Sequence, residues 1–331
     1  MTEMHSNTET NIRCAVVTGG NKGIGFEICR QLASKGISVV LTSRDVTKGL
    51  GAVEKLKNSF GLSNVVFHQL DVMNPITLPP LADFIRTQFG KLDILVSRMQ
   101  PLVNFLFHLI ACLLNFSFQY LKVNNAGITG VITDAAGFTA LGQALVENDQ
   151  KANLKQMIKE TYELAEECMQ TNYYGVKSVT KALIPLLQLS GSPRIVNVSS
   201  SIGELKNVSN EKALKILSDG DGLKEKSVDE IVNMFLKDFK EDLLESNGWP
   251  ANLPAYTISK ACLNAYTRIL AKKYPIFRIN CLCPGYVNSN FNCNTGVITT
   301  AQGAERVVNL ALVPDDGPSG LYFTNGEVSP Y

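Results

Sequence analysis

The sequence predicts an α/β protein, namely a single doubly wound domain of the Rossmann type built on a parallel sheet. Three observations support this class. Short β-branched runs alternate with amphipathic segments from Cys14 onward, no linker or repeat divides the 331 residues, and 45% of the chain is hydrophobic, which is enough to bury a large core. We expect residues 1–13 to form a flexible tail and residues 14–331 to form the domain.

Charge and cysteine usage argue against several function classes. The chain carries 31 basic and 30 acidic residues, so it has no overall field that would attract nucleic acid or an anionic membrane. Its 8 cysteines include no CxxC pair and its 3 histidines are dispersed, which favours reduced thiols and no metal site. The N-terminal residues lack the apolar stretch of a signal peptide. We therefore predict a cytoplasmic protein that recognises a small molecule, without a metal, nucleic-acid or membrane partner.

The first unit of the predicted sheet is a strand, a turn and a helix. Cys14–Val17 is typical of a buried strand, residues 18–25 are rich in glycine, and residues 26–35 form a helix that Gly36 ends. The later elements follow the same alternation. Strands are predicted at 38–42, 65–70, 92–96, 194–198, 277–282 and 321–323, and helices at 81–89, 164–187 and 255–273.

A long insertion at 201–254 contains a further predicted helix. Within residues 227–246, apolar side chains recur with the spacing of one helix face, so that face must cover another part of the protein. The apolar positions are Val228, Ile231, Val232, Phe235, Phe239 and Leu243.

The turn after the first strand is a candidate cofactor site. Glycines at 19, 23 and 25 allow a tight turn, let backbone amides approach a diphosphate and permit close contact between helix and sheet. An ordinary glycine-rich turn is the alternative, but a strand directly before and a helix directly after favour dinucleotide binding. The predicted cofactor contacts are Thr18, Gly19, Asn21, Lys22, Gly23, Ile24 and Gly25.

The residues after the second strand indicate which dinucleotide is bound. NAD-selective sites usually place an acidic residue there to hold the ribose 2′-hydroxyl, whereas this chain has Arg44. With Lys22, Arg44 offers two cations suited to a 2′-phosphate, so the sequence predicts NADP(H). Asp45 could instead contact a ribose hydroxyl, and the two cations could be ordinary solvated side chains.

Two further motifs are expected at the carboxyl ends of strands, where open α/β sheets bind ligands. Asp71 ends the third strand and is a candidate adenine contact. Asn124, Ala126 and Gly127 belong to a motif that should follow the fourth strand beside the adenosine. Alone, each motif also fits an ordinary turn or cap.

Tyr256 and Lys260 are the candidate acid-base pair. They are four residues apart, and this spacing places both side chains on one helix face. A neighbouring ammonium favours the phenolate, so we expect Lys260 to lower the pKa of Tyr256 toward the working pH. Such pairs are also common on helices without any catalytic role.

Two polar residues complete the candidate catalytic group. Ser200 follows a predicted strand and can hydrogen-bond the substrate oxygen that Tyr256 protonates, although a simple turn is the alternative. Asn172 is a polar residue within an apolar helix, where the alternative role is to stabilise a kink.

The order of these motifs resembles the short-chain dehydrogenase/reductase family, with matches from Val16 to about Gly285. The resemblance implies that Tyr256 is the general acid and that Lys260 binds the nicotinamide ribose and tunes Tyr256. It further implies that Ser200 polarises the substrate carbonyl and that Asn172 anchors a proton-relay water. The nicotinamide contacts implied in the same way are Pro284, Gly285 and Val287, although Asn288 and Ser289 replace the basic residue and threonine usual there.

The insertion at 201–254 and the tail at 314–320 resemble those of plant ketone reductases within the family. This implies NADPH-dependent reduction of a ketone on a bulky, apolar plant metabolite. A morphinan alkaloid is favoured, and a monoterpenoid ketone is the alternative. It also implies that the inserted helix covers the substrate cleft and the surface used elsewhere for dimerisation, so we expect a monomer.

Residues 97–122 form an unusual apolar insertion that interrupts the predicted fourth strand. Because that strand is central, we expect the insertion to loop out of the sheet. A retained intron is one explanation, since Val-Ser can be encoded by GTAAGT, a common splice-donor sequence; a genuine lid is another. A membrane anchor is disfavoured, since a span leaving the middle of the sheet would pull the domain apart. Because the insertion could disrupt the active site, a protein that binds the cofactor without catalysing a reaction is a further alternative.

Overall fold

The central sheet has eight strands in the part of the chain that a computed structural model describes, namely residues 12–98, 130–132, 139–140, 158–289, 292 and 294–331. They are β1 (Cys14–Val17), β2 (Ser38–Ser43), β3 (Val65–Gln69), β4 (Ile94–Ser97), β7 (Arg194–Val198), β8 (Arg278–Cys283), β9 (Tyr322–Thr324) and β10 (Glu327–Ser329). Their order is β10-β9-β8-β7-β4-β1-β2-β3, and only β10 runs antiparallel to its neighbour. A separate antiparallel pair joins β5 (Val131–Ile132) to β6 (Lys159–Glu160). The predicted Rossmann-type α/β fold is confirmed.

Helices connect these strands across both faces of the sheet. The described α-helices are α1 (Gly23–Ser34), α2 (Val46–Phe60), α3 (Leu78–Phe89), α4 (Tyr162–Met169), α5 (Val176–Leu187), α6 (Glu211–Ser218), α7 (Glu225–Lys240), α8 (Pro254–Lys273) and α9 (Thr300–Ala311). A π-helix (Gln170–Gly175) joins α4 to α5.

The core lies on both faces of the sheet because alternate residues of a strand point to opposite sides. Val16 and Leu95 belong to the cluster that α3, α5 and α8 cover, whereas Val17 and Val96 belong to the cluster that α1 and α9 cover. All residues of β1, β4 and β7 are buried. The buried central strands therefore hold the loops at their carboxyl ends in fixed positions.

The predicted elements differ from the observed ones at a few points. Helix α1 starts at Gly23 rather than at residue 26 and so includes the last three residues of the glycine turn. The helix predicted at 164–187 is interrupted by the π-helix. Helices α2, α6 and α9 and strands β5, β6 and β10 had no counterpart in the prediction.

The start of the apolar insertion does not loop out as expected. Ser97 is the last residue of β4 and pairs with Asn197 of β7, and Arg98 follows it with only 3% of its surface exposed. The backbone of Arg98 is fixed by Thr18, whose hydroxyl accepts from its N–H at 2.7 Å and donates to its carbonyl at 2.5 Å. The first residue of the predicted insertion is thus part of the sheet, the second is fixed directly after it, and residues 99–122 lie outside the described part of the chain.

The second insertion forms α6 and α7, and α7 packs against α4 and α8. Val228, Ile231, Val232 and Phe235 are fully buried, as their spacing predicts. The helix ends at Lys240, six residues before the predicted end, because the chain turns at residues 241–242 with a left-handed backbone (φ +56°) at position 242. That turn leaves the last predicted apolar position, 243, 37% exposed.

No helix in the described residues has the length and apolar character needed to cross a membrane. The uncharged stretch at 102–120 and residues 1–11 of the tail predicted at 1–13 lie outside those residues.

Candidate active site

The glycine turn sits where β1, β2 and β4 end. Thr18 N–H donates to the Val96 carbonyl at 3.0 Å, and Gly20 N–H donates to the Thr42 carbonyl at 2.9 Å. Gly19 and Gly23 have φ of +65° and +55°, in the left-handed region that favours glycine. These contacts fix the turn on the sheet and place the first turn of α1 beside it.

The turn fits the diphosphate of a dinucleotide. A Cβ on Gly25 would collide with the Gly19 carbonyl, so this position requires glycine for close contact. The N-terminus of α1, which begins at Gly23 in this turn, carries partial positive charge. Thr18 to Gly25, including Ile24, thus form a cradle suited to an anion.

Cationic side chains gather beside this cradle. Lys22 and Lys48 line a groove of about 410 Å³ between α1 and α2, together with Asn21, Gly23, Phe26, Gly51, Ala52 and Lys55. Burial, followed by the charges of Arg98, Lys48 and Arg44, lowers the pKa of Lys22 to about 8. The excess of positive charge favours a phosphate at this position.

The acidic residues near Arg44 have structural contacts of their own. Asp45 accepts a hydrogen bond from the Lys48 N–H at 2.9 Å and thereby caps α2. Asp71 accepts from the Met73 N–H at 3.1 Å after the end of β3. Burial lowers the pKa of Arg44, while Asp71, Glu167 and Asp45 act in the opposite direction. The charges of Arg44 and Asp71 therefore interact just beyond the ends of β2 and β3.

The candidate catalytic residues meet at the ends of β7 and α8. Tyr256 and Lys260 lie on one face of α8, with 7% and 4% of their surface exposed. The Tyr256 hydroxyl is hydrogen-bonded to the side chain of Ser200. Lys260 Nζ donates to the Val198 carbonyl at 3.0 Å and lies 5.6 Å from the centre of the Tyr256 ring. A hydroxyl pair with a buried ammonium beside it suits proton transfer to a carbonyl oxygen.

The expected lowering of the Tyr256 pKa is wrong for this structure. Burial raises the pKa of the phenol, because the phenolate is poorly solvated there, and the hydrogen bond with Ser200 only partly opposes this. Burial also lowers the pKa of Lys260 to about 8. Burial therefore favours the protonated phenol over the phenolate at Tyr256.

Asn172 lies fully buried in the π-helix next to the catalytic helix. Its side-chain amide donates to Ser259 Oγ at 3.0 Å and contacts Cys168 Sγ at 3.3 Å. Ser259 Oγ in turn donates to the Tyr256 carbonyl at 2.8 Å. Asn172 thus both sits at a helix irregularity and is connected to the catalytic helix.

The loop after β8 contains Pro284, Gly285 and Val287. Arg306 donates to the Pro284 carbonyl at 3.0 Å, and Gly285 adopts a φ of +94°. Val287 is buried against α9 and forms a bridge with Ile298. The loop is anchored at the same sheet edge as the catalytic residues.

Comparison with known proteins identifies the group to which this arrangement belongs. A family model for short chain dehydrogenases matches residues 13–98. Salutaridine reductase from Papaver bracteatum is 56% identical over an alignment of 339 positions that covers 100% of both chains. The chain belongs to the short-chain dehydrogenase/reductase family.

Two further comparisons place this short-chain dehydrogenase/reductase beside plant enzymes. The structure of salutaridine reductase from Papaver somniferum is similar with a TM-score of 0.80 and 57% identity, covering 94% of this chain and 99% of that one. A (+)-neomenthol dehydrogenase from Capsicum annuum is 50% identical, covering 97% of this chain and 98% of that one. The chain is thus an oxidoreductase of the class that interconverts carbonyl and alcohol groups.

Sequence reasoning missed three residues of this reductase's site. Lys48 lies in the first turn of α2, four positions after Arg44, and its closeness to Arg44 in sequence is the signal that could have revealed it. Ser259 lies beside Lys260 in sequence, but only the fold brings it to Asn172. Arg98 directly follows β4 at the start of the predicted insertion, so no pattern indicated its place beside the glycine turn. The predicted contacts Asn124, Ala126 and Gly127 lie outside the described residues.

Proposed function

We propose that this reductase catalyses NADPH-dependent reduction of a ketone on a bulky, largely apolar plant metabolite, with a salutaridine-like morphinan alkaloid as the favoured substrate. The observation that carries the proposal is the Tyr256–Ser200 hydroxyl pair beside buried Lys260. This pair lies at the sheet edge that also holds the glycine turn. The full-length identity of 56% to salutaridine reductase supports the substrate class.

The residues of the site have distinct roles in the proposed reaction. Bound NADPH supplies the hydride. Tyr256 donates its phenolic proton to the carbonyl oxygen, and Ser200 holds the same oxygen by a hydrogen bond. The Lys260 ammonium, held by the Val198 carbonyl, stabilises the phenolate that this transfer leaves. Asn172, tied to Ser259, anchors the water that returns the proton.

Selection of NADP(H) over NAD(H) is assigned to the cations beside the glycine turn. Lys22, Arg44 and Lys48 offer charge to a 2′-phosphate, whereas Asp45 is occupied as the cap of α2. Charge-assisted hydrogen bonds to a phosphate are among the strong polar contacts in proteins. The contacts of Pro284, Gly285 and Val287 with the nicotinamide belong to the same proposal.

A ketone panel tests the proposed reaction. Purified protein is mixed with NADPH and either salutaridine or menthone, and NADPH oxidation is followed by absorbance. We expect turnover with the morphinan ketone to exceed turnover with menthone in kcat/KM. Binding of NADPH without oxidation by any ketone would instead identify a cofactor-binding chain without turnover.

A monoterpenoid ketone is the second candidate substrate. The 50% identity to (+)-neomenthol dehydrogenase from Capsicum annuum supports it. The two candidate substrates differ in size, since a morphinan ketone has a polycyclic ring system and menthone has a single ring. Preference for menthone in the same panel would reverse the assignment.

A monomeric, cytoplasmic state is part of the proposal. Helix α7 covers α4 and α8 within the chain, and Lys177 Nζ on α5 pairs with Asp229 on α7 at 2.6 Å. This inserted helix occupies a surface that would otherwise be open to a second copy. Sedimentation of the purified protein should give the mass of one chain, and a stable tetramer would contradict this.

A further inference from the structure

Arg98 is a buried arginine held against the glycine turn. Its Nη1 donates to the Gly19 carbonyl at 2.9 Å and contacts the Lys22 carbonyl at 3.4 Å. A Cβ on Gly25 would lie 2.8 Å from the same nitrogen, so the guanidinium fits only because position 25 has no side chain. The arginine is therefore built into the turn and is not a surface side chain.

The charge of Arg98 is uncompensated within the described residues. No carboxylate there forms an ion pair with it, and its buried Nη2 has no hydrogen-bond partner there. Nη2 lies 3.6 Å from the position that a Cβ on Gly23 would take. Burial lowers the pKa of Arg98 to about 10, so the guanidinium still carries its charge at neutral pH. A buried charge that is paired only with carbonyl oxygens and not with a carboxylate is costly, so a bound anion would stabilise it.

The surroundings of Arg98 add to the positive potential. Helix α1 begins at Gly23 and directs its N-terminal N–H groups to the same place. Lys22 belongs to the same turn, and the charge of Arg98 contributes to lowering its pKa. An anion bound at this turn would interact with all three groups.

We propose that Arg98 is a cofactor-binding residue of this chain and that the diphosphate of the dinucleotide neutralises its charge. The inference rests on the proposed function only in taking NADP(H) as the ligand. Arg98 and Arg44 then have separate tasks. Arg44 reads the 2′-phosphate, which NADH lacks, whereas Arg98 responds to the diphosphate that NADH and NADPH share.

Substitution of Arg98 by methionine in the full chain tests this division. Dissociation constants for NADPH and NADH are measured by nicotinamide fluorescence at 50 and 200 mM salt. We expect Arg98→Met to weaken binding of both dinucleotides about tenfold or more and to reduce the salt dependence, because a charged partner of the diphosphate is lost. The matched control Arg44→Ala should weaken NADPH binding alone.

Other outcomes overturn the inference. Unchanged affinities in Arg98→Met would show that the guanidinium only supports the turn, and tighter binding would show that it obstructs the cofactor. If that variant does not fold, Arg98→Lys and the wild type are compared by thermal shift with inorganic pyrophosphate. Pyrophosphate should stabilise both more than sulfate at equal ionic strength and compete with NADPH, and no such stabilisation of the wild type overturns the inference.

The two proposals fail separately. If the wild-type protein binds both dinucleotides and Arg98→Met binds them with the same affinity, that result counts against this inference alone. Wild-type protein that binds NADPH but reduces no ketone counts against the proposed function alone.

Discussion

The side-chain amide of Asn172 donates a hydrogen bond of 3.0 Å to the hydroxyl of Ser259. Because Ser259 also bonds to the Tyr256 carbonyl, this contact links the π-helix to the first turn of α8. The side chain that carries the proton donor is thus positioned by a buried polar group from another helix. Buried polar groups of this kind stabilise one arrangement when they are fully paired.

Loss of this link should reduce turnover. Ser259→Ala removes the hydroxyl between Asn172 and Tyr256, and we expect kcat to fall about tenfold because misplacement of a catalytic group is costly. Ser259→Thr, which keeps the hydroxyl, should recover part of the loss. Cys262→Ala, a change of a buried side chain on the same helix, is the control, and equal effects of Ser259→Ala and Cys262→Ala on kcat would refute the positioning role.

Removal of the Tyr256 hydroxyl should remove the general acid. We expect Tyr256→Phe to lower kcat by at least about 100-fold, the effect typical of a lost acid catalyst, while NADPH binding is retained. Ketone-dependent NADPH oxidation and fluorescence titration measure the two effects. Tyr266→Phe removes a phenol from the same helix whose hydroxyl has no partner in the described residues, and should leave turnover near normal. Near-normal turnover of Tyr256→Phe would contradict the assignment of Tyr256 as the general acid.

Dinucleotide preference should depend on Arg44. Arg44→Ala should raise the KM for NADPH and leave that for NADH nearly unchanged, since only NADPH carries the 2′-phosphate. The expected loss is about 1.5–3 kcal/mol, the value of a hydrogen bond to a charged group. Lys55→Ala is the control, because Lys55 lines the same groove but lies over the Phe26 ring. Equal losses for the two cofactors would show that Arg44 does not read the phosphate.

NADPH binding should take up protons near pH 8.5. The pKa of Lys22 is lowered to about 8 by burial and by Arg98, Lys48 and Arg44, so part of Lys22 is neutral at that pH. A bound phosphate favours the ammonium and raises its pKa, which means that Lys22 gains a proton and that affinity falls as pH rises above about 8. Calorimetry in buffers of different ionisation enthalpy measures the uptake. It should be smaller with NADH and in Lys22→Met, and NADPH binding without uptake at this pH contradicts the assignment.

Most of the apolar insertion should be dispensable. Deletion of residues 97–122 joins Val96 to Val123 and places Asn124 near the end of β4, so we expect a more soluble protein with higher turnover at saturating NADPH. Its dinucleotide binding should be weaker, because Arg98 is lost. A second deletion, of residues 99–122, leaves Ser97 and Arg98 at the sheet edge and separates their effect from that of the remaining segment. Equal or better solubility and activity of the full chain, with transcripts that contain the insertion as the dominant form, would refute a retained intron.

Local spacing made part of the site predictable. Tyr256 and Lys260 could be found because a four-residue spacing on a helix brings two side chains together without reference to the rest of the fold. The glycine turn could be found because a strand and a helix flank it directly. The fold class followed from the same alternation along the chain.

Long-range contacts account for what the sequence did not reveal. Arg98 is positioned by a backbone hydrogen bond to the hydroxyl of Thr18, 80 positions away. The raised pKa of Tyr256 follows from its burial, which spacing alone does not indicate. Helix α2 was missed because glycines at 49 and 51 weaken the helical pattern. Gly49 is needed there because a Cβ would collide with the Phe67 ring of β3.

Cys168, the thiol that contacts Asn172, is completely buried, and burial raises its pKa to about 12. Alkylating reagents attack the thiolate, so the folded protein shields this sulfur both by exclusion and by keeping its proton. Labelling of Cys168 therefore requires α4 and α8 to separate. The labelling rate then measures how often this part of the enzyme opens locally. The ratio of the labelling rates without and with bound dinucleotide would give the free energy by which the ligand stabilises the closed arrangement of α4 and α8.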